Sequence, residues 1–348
     1  MKLALNIDGI VKCTIDINSP AVSGESYSGL LIVGPPPSSK TMPDVASYTS
    51  IEAVSTAGYA DTDPLYLAAV VAFSQSLQQD RIYVATIKDS EEPTDAVERA
   101  LGTDGWYFIC PVGIETTKYN ALSVYVETLE KLLMVTLDDE DDSPFLQEGL
   151  MRTCVWRLAE NQDTDYDPYL HVAICAKAAS YTPGSETWAY KTLSLITAGE
   201  FADSAEMDSE NENYYVCIAK KNITQGGKVL GDEWIDTIRF RDWLKNQIQM
   251  NCFNVLVQNA KVPYTDAGIG LIQNAVIAAL KEGQANGGIA QDFYDEDGNK
   301  TAGYTTTAPL AASLSAEQKK TRNLPDLKWT AYLAGAIHCT EISGTLGY

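Results

Sequence analysis

Several stretches of this 348-residue sequence carry residue types at spacings that could do chemistry. Asp163, Asp165 and Asp167 alternate as the first ligands of a calcium loop do. Pro168 then stands where such a loop needs glycine, and no glutamate follows at the twelfth position, so the stretch reads as a solvated loop. Asp138 to Asp142 holds enough carboxylates for a cation, but a run of like charge is usually a solvated face. Gly34 to Lys40 and Gln225-Gly226-Gly227-Lys228 have the look of phosphate loops. Neither has the Gly-x4-Gly-Lys-Ser/Thr spacing, and Gly226-Gly227 reads as a turn. The two histidines, His171 and His338, lie in apolar stretches read as strands, with no Cys or carboxylate at ligand spacing. No Gly-x-Ser-x-Gly elbow is present. His338 and Cys339 are neighbours in sequence, so on a strand they point to opposite faces and form no nucleophile–base pair. The expectation is a chain with no catalytic residues, no cofactor and no metal site.

What remains is charge. The net charge is −22, and it is uneven. Residues 1–210 carry 12 Lys and Arg against 33 Asp and Glu; residues 211–348 carry 13 against 14. The first part is solvent-facing and self-repelling, and the second can sit against partners. Nucleic-acid binding is disfavoured across the acidic part. The dense basic stretches are Arg239, Arg241 and Lys245 on one side and Lys319, Lys320, Arg322 and Lys328 on the other. These are candidate docking cations for an acidic partner, where complementarity sets registry more than affinity. No apolar run reaches the roughly 18 residues of a membrane span. Met1 to Lys12 has no apolar core of a signal peptide. The seven scattered cysteines read as reduced core residues made in a cytosol.

The elements that position these residues follow from periodicity. Trp234, Ile238, Leu244, Ile248, Cys252, Val255 and Leu256 share one face at helical spacing, with Arg241 and Lys245 intruding. Pro263 stops that helix, and Thr265 or Asp266 caps a second one carrying Ile269, Ile272, Val276 and Leu280, with Gly283 as its C′ residue. The chain then closes on a period-2 run. Leu327, Trp329, Ala331, Leu333, Ile337 and Cys339 share one face, and Gly335 marks a bulge. The start alternates as cleanly: Leu3, Leu5, Ile7, Val11, Cys13, Ile15 and Ile17 are all odd positions.

Between these ends, apolar runs at 29–33, 81–87, 106–110, 133–137 and 171–175 read as strands, and 50–57, 65–77, 96–101 and 122–132 as helices. Asp63 is placed as a cap, with Pro64 in the first turn of its helix. Strands alternating with helices argue for an α/β (mixed α+β) architecture. A domain boundary is expected near the acidic loop 200–213. The division is an N-terminal strand arm, 1–20; an outer acidic α/β domain, 21–198; an inner α/β domain, 199–325; and a C-terminal strand arm, 326–348.

Segments spread along most of the chain, in this order, resemble the sheath proteins of contractile injection machines: phage tails, R-type bacteriocins and related particles. They include Tyr48 to Val54, Pro64 to Gln75, Gly184 to Lys191, Trp234 to Leu244, Lys261 to Ile269, Arg322 to Asp326 and on to Ala334–His338. The resemblance implies a two-domain subunit that polymerises helically with itself around an inner tail tube, contracts, and meets baseplate and terminator proteins. It implies assembly in a bacterial cytoplasm into an extracellular particle, without direct nucleic-acid contact or membrane insertion. The near-neutral domain would face the tube, and both chain ends would add strands to neighbours. A soluble α/β enzyme and a non-contracting tube or assembly protein are the competing expectations.

Overall fold

The computed structural model describes residues 26–37, 42–76, 79–138, 143–201, 204–294 and 297–346. The N-terminal strand expected over 1–20, with Leu5, Ile7, Val11, Cys13, Ile15 and Ile17, lies outside them, as does most of the acidic run 138–142.

The chain opens with β1 (Leu30–Gly34) and the short β2 (Ala46–Tyr48). Helix α1 (Ile51–Ala57) follows, its first turn closed by the Ser50 side chain accepting from the Ala53 amide, and then α2 (Pro64–Ser74). Asp63 precedes α2 without capping it; its carboxylate accepts from the Ala60 amide instead. Next come β3 (Ile82–Thr86), α3 (Pro93–Ala100), β4 (Phe108–Pro111), α4 (Tyr119–Val126), β5 (Leu132–Asp138) and β6 (Thr153–Leu158). Helix α5 (Leu170–Ala178) and the short α6 (Ala205–Ser209) precede the hairpin β7 (Asn213–Ile218) and β8 (Lys221–Gln225). The remainder is α7 (Ile235–Gln258), α8 (Asp266–Ala285), β9 (Phe293–Tyr294), β10 (Lys300–Thr301), β11 (Tyr304–Thr307), α9 (Ala316–Lys320) and β12 (Lys328–Ala331).

Strands β1 to β8 form one sheet in the order β2-β3-β1-β4-β5-β6-β7-β8. β3, β1, β4, β5, β6 and β7 run parallel; the edge strands β2 and β8 are antiparallel to their neighbours. Parallel strands need both faces covered, which is why their sequences are unbroken apolar runs. In β1, Leu30 and Ile32 point to a core shared with α2 and α5, while Leu31 and Val33 point to a core shared with α3 and α4. Each such fully buried side chain stabilises the fold by about 1.5–3 kcal/mol relative to exposure.

Three expected elements change character or extent. The apolar run 171–175 is the helix α5, not a strand: all nine of its residues are buried, so it shows no polar stripe to set a helical period. The helix expected over 122–132 ends at Val126, and Leu132 already belongs to β5. Gly283 lies inside α8, packed against Phe240 and Ile289, and does not end it. The expected cap of that helix is present: Thr265 accepts from the Gly268 amide at 3.1 Å. The sheet takes in both sides of the expected boundary at residues 198 and 199, because β7 pairs with β6.

Candidate assembly surfaces

Helix α7 is 24 residues long and is covered on two sides. One side carries Ile238, Leu244, Ile248 and Cys252 into the core shared with α8. The other carries Arg239, Asp242, Lys245 and Gln249, spaced at three to four residues and buried. This polar stripe lies against the edge of the sheet where the parallel strands begin. Arg239 is fully buried. Its guanidinium donates to the carbonyls of Tyr27, Ala179 and Tyr181, to Ser28 and to the Glu186 carboxylate. Asp242 accepts from the Tyr107 hydroxyl at 2.7 Å and from Arg152 at 2.8 Å. Lys245 donates to Glu130 at 2.6 Å. Burial acts to raise the Asp242 carboxyl, but Arg152 and Arg241 outweigh it and hold Asp242 below the usual carboxylate range. Around Glu130 burial wins over Lys245 and pushes the group up to about 7. A buried charge left without its partner is costly, so these bonds lock α7 onto the sheet in one register.

This placement corrects part of the expected basic surface. Arg239 and Lys245 are buried and paired, and Arg241 is largely buried beside Asp242 at 2.9 Å. They hold the protein together and do not face a partner. Residue type alone pointed outward; the i, i+3, i+6 and i+10 spacing of 239, 242, 245 and 249 was the sequence signal for a second buried stripe. Lys320 and Arg322, by contrast, are exposed, and Lys319 is half-buried.

α7 and α8 form a hairpin whose far end opens as a groove of about 1200 Å³. Its walls include Ile248, Cys252, Ile272, Leu324 and Trp329, and Lys261, Lys319 and Arg322 line it beside one acid, Asp326. Over α8 lies the two-stranded ladder of β11 and β12, with Thr306 opposite Trp329. Among the described residues this ladder has no third strand. It is shorter than the alternation predicts. Trp329 is inside it; Leu327 precedes it, Leu333 makes an isolated bridge to Ile289, and Ile337 and Cys339 lie beyond. Gly335, expected at a bulge, has φ +64° past the end of the ladder.

The chain then crosses to the α/β body. His338 Nε2 lies 2.7 Å from Thr187 Oγ1, its ring meets Trp234 edge-on at 4.6 Å, and the Tyr190 hydroxyl donates to its carbonyl. Three segments quoted from the sequence, 184–191, 234–244 and 334–338, converge here. Burial, then the nearby Lys191, lowers the His338 pKa. Residues 339–346 are all exposed; Ile342 is 92% and Leu346 100% accessible.

The stretches weighed for chemistry have other uses. Asp163 and Asp165 are solvated, but Asp167 is buried and accepts from the Thr164 and Thr197 amides. Gly226 and Gly227 have φ of +83° and +109°, and the Lys228 amide donates to the Asn213 side chain, so the pair is a turn. His171 is buried: Nε2 donates to the Pro111 carbonyl at 3.1 Å, which leaves Nδ1 to accept from Thr136 at 2.7 Å. Burial pushes its pKa down to about 3. The sheet order reverses at β1, the place where open α/β sheets bind ligands beyond the strand ends. Here the turns past β1 and β4 are tightly packed. A Cβ on Gly113 would meet Pro64 at 2.8 Å, and one on Gly34 would meet the Val112 carbonyl at 2.7 Å. Among the described residues no group of three or more His, Cys, Asp or Glu is placed to hold a metal ion, and no helix is long and apolar enough to cross a membrane.

Comparison with known proteins bears on the same regions. Residues 235–346 match the family of the C-terminal domain of E217 gp31-like tail sheath proteins, starting at the first residue of α7. No curated protein sequence matches the chain. The fold is shared with the helical sheath of the anti-feeding prophage in its contracted state, at 12% identity and a TM-score of 0.68, over 96% of this chain and 98% of that one. It is shared equally with the contracted sheath complex of an extracellular contractile injection system, PVC, at 12% identity and 0.67, over 96% of each chain. A sheath tail protein of Listeria innocua matches at 10% identity and 0.52, over 83% of this chain and 90% of that one. The resemblance read from the sequence is therefore borne out, as is the mixed α/β architecture.

Proposed function

We infer that a chain whose residues 235–346 belong to the tail-sheath C-terminal-domain family, and whose fold is that of contractile-sheath subunits, is itself the repeating subunit of a contractile tail sheath. The observation that carries this reading is an unfinished C-terminal module on a finished body. The body has a core buried on both faces of its sheet, and tightly packed turns past β1 and β4 at its topological switch point. Among the described residues the module leaves a two-stranded ladder without a third strand, an apolar groove, and a tail whose apolar side chains face water. Open edges and exposed apolar tails are liabilities in a monomer and connections in a polymer.

The role is structural. Copies join into an extended helical lattice around an inner tube, anchored on a baseplate and closed by a terminator. Contraction repacks the contacts between copies while each subunit moves as a rigid body. The buried charges between α7 and the sheet fit this, because sliding α7 would strand Arg239, Asp242 and Lys245 without partners. The chain's end arms, 1–20 and 326–348, connect neighbours, with Trp329, Leu333, Ile337 and Cys339 on the C-terminal one and Leu5 to Ile17 on the N-terminal one. Of the basic candidates, Lys319, Lys320 and Arg322 remain for contact with the tube or a neighbour. The subunit is made in a bacterial cytoplasm and works in an extracellular particle.

Negative-stain microscopy of the purified chain, alone and with its tube protein, tests the reading. Wide ridged tubes are expected. Discrete particles with a ligand-binding pocket would favour an enzyme, and thin smooth tubes a non-contracting assembly protein. Deleting residues 1–17 should leave the circular dichroism of the subunit unchanged and abolish the tubes.

A further inference from the structure

The groove between α7 and α8 belongs to a helix packed where the parallel strands begin, while residues 143–148 follow the far end of β5. The parallel strands begin beside α7: Tyr107, just before β4, and Arg152, just before β6, both bond Asp242. Glu130, just before β5, bonds Lys245. The groove opens from the later turns of that helix, at Ile248 and Cys252. The connection following β5 leaves from the opposite edge of the sheet. There Leu146 is 86% accessible, the most exposed large apolar side chain of the α/β body among the described residues. It is not loose. Its amide donates to the Asn120 side chain in the first turn of α4 at 2.9 Å, and the preceding Phe145 packs on the core under α3 and α4. The loop therefore holds a leucine out into solvent on a fixed base.

Charge gives the pairing a direction. Asp138 and Glu148 on the Leu146 side are exposed, and neither is in an ion pair among the described residues. The groove has apolar walls and three cations, Lys261, Lys319 and Arg322, against one acid. An apolar side chain with an exposed carboxylate two residues on, at Glu148, fits an apolar slot lined by cations. A knob and a hole on different faces of one molecule cannot close as a twofold dimer. They make a head-to-tail contact, which propagates as a helical filament unless the rotation happens to close a ring.

We propose that the 143–148 loop of one copy seats Leu146 in the α7–α8 groove of the next, making a direct body-to-module contact between successive subunits. This rests on the sheath reading, since it names which surface of a second copy fills the groove.

The test uses the full chain. Wild-type tubes are scored first by sedimentation and microscopy; if wild type forms none, the sheath reading itself fails. Given wild-type tubes, Leu146→Glu should keep the wild-type circular dichroism and melting temperature, because the side chain is already exposed. It should raise the concentration needed for tube formation about tenfold or more, the loss expected when one buried leucine per contact is removed. Unchanged tube formation by Leu146→Glu overturns the proposal. Cross-linking gives an independent readout. In a background with Cys13, Cys217 and Cys339 replaced by Ser, Leu146→Cys subunits are mixed with Asn323→Cys subunits and oxidised. A covalent dimer that requires both variants is expected; its absence from tubes that do form places another segment in the groove and overturns the proposal.

Discussion

The α/β body and the C-terminal module are built from the same alphabet but are finished to different degrees. In β1 every residue is buried, and the same holds for β4 and β6. In β12 no residue is buried, and after it Ile337 is 82% accessible. The body covers both faces of its sheet with its own helices. Among the described residues the module covers one side of a two-stranded ladder, gives it no third strand, and leaves its tail exposed. On the sheath reading, the difference separates two jobs of one chain: to hold its shape while contacts between copies repack, and to offer surfaces that other copies complete. The join between them is apolar and ionic together: one hydrophobic cluster runs from β1 and α5 through Ile238 and Leu244 of α7 to α8. The charged stripe of α7 adds directional bonds to the body, and these fix the register that apolar contact alone would leave free to slide.

If the body is self-sufficient, its weak points are internal, and the largest expected effect is at His171. Its pKa in the folded protein is about 3, against about 6.5 when solvated. A depressed pKa means the neutral form is the one the fold accommodates. Its contribution is complete above pH 6.5 and is lost as the pH falls toward 3, by roughly 5 kcal/mol in all. Acid should therefore unfold the body, and His171→Leu should flatten that limb of a pH–stability curve from urea titrations. Glu130 acts in the opposite sense. Its raised pKa of about 7 makes stability fall as the pH rises from its unfolded value near 4.5 toward 7. A Glu130→Gln variant that erased the acid limb instead would show that the wrong group has been assigned to it.

The join is the next test. Arg239→Ala removes five bonds and leaves the Glu186 carboxylate buried and unpaired. Truncating one partner of a buried pair costs on the order of 3–5 kcal/mol, and the loss should appear as a lower urea midpoint. Because Arg239 ties 27–28, 179–186 and α7 together, hydrogen exchange should rise in all three segments at once. A rise confined to α7 would mean that the module is held elsewhere.

Within the module the expected effect is smaller and local. A Cβ at Gly268 would lie 2.1 Å from the Pro263 carbonyl oxygen, in the turn that joins α7 to α8. Gly268→Leu should destabilise by about 1–3 kcal/mol, as overpacking does, and should widen the groove mouth. Thermal melting measures the first effect and assembly yield the second. A mutant that melts like wild type would show that the turn relaxes freely.

Some of this was legible before any coordinates. The α7–α8 hairpin, its Thr265 cap and the short strand around Trp329 were readable because each has a period or a named capping chemistry. β6 and β7 were not, because Arg157 and Asn213 break the apolar pattern. In the fold, Arg157 is satisfied by Glu212 at 2.6 Å, and the Asn213 amide by the Val155 carbonyl. α5 was misread as a strand because a helix buried on every side has no polar face to betray its turn. The expected docking cations on α7 failed for a related reason: a sequence gives the charge of Arg239 and Lys245 but not the Glu186 and Glu130 that meet them from distant segments. The groove was invisible because its walls come from three separated stretches, 248–256, 260–276 and 319–329.

The smallest expected effect on the subunit is the one with the largest consequence for assembly. Lys319 and Lys320 end the short helix α9, and Arg322 follows in a left-handed conformation with φ +57°. No ion pair holds any of the three among the described residues. Two of them, Lys319 and Arg322, line the groove. Exposed charges of this kind contribute about 0–1 kcal/mol each to a fold, so Lys319→Glu, Lys320→Glu and Arg322→Glu together should leave the melting temperature almost unmoved. Reversal nevertheless turns a cationic surface into an anionic one on a chain already at −22. An acidic tube or neighbour would then be repelled at every copy along the lattice, and extended tubes should not form at low salt. Because the contact is exposed to solvent, raising the ionic strength should weaken wild-type assembly and partly relieve the repulsion in the mutant, so the two yields converge. Full-length extended tubes from the triple mutant at low salt would show that these cations are solvated bystanders, and the open side of the comparison would then rest on the groove, the ladder edges and the tail alone.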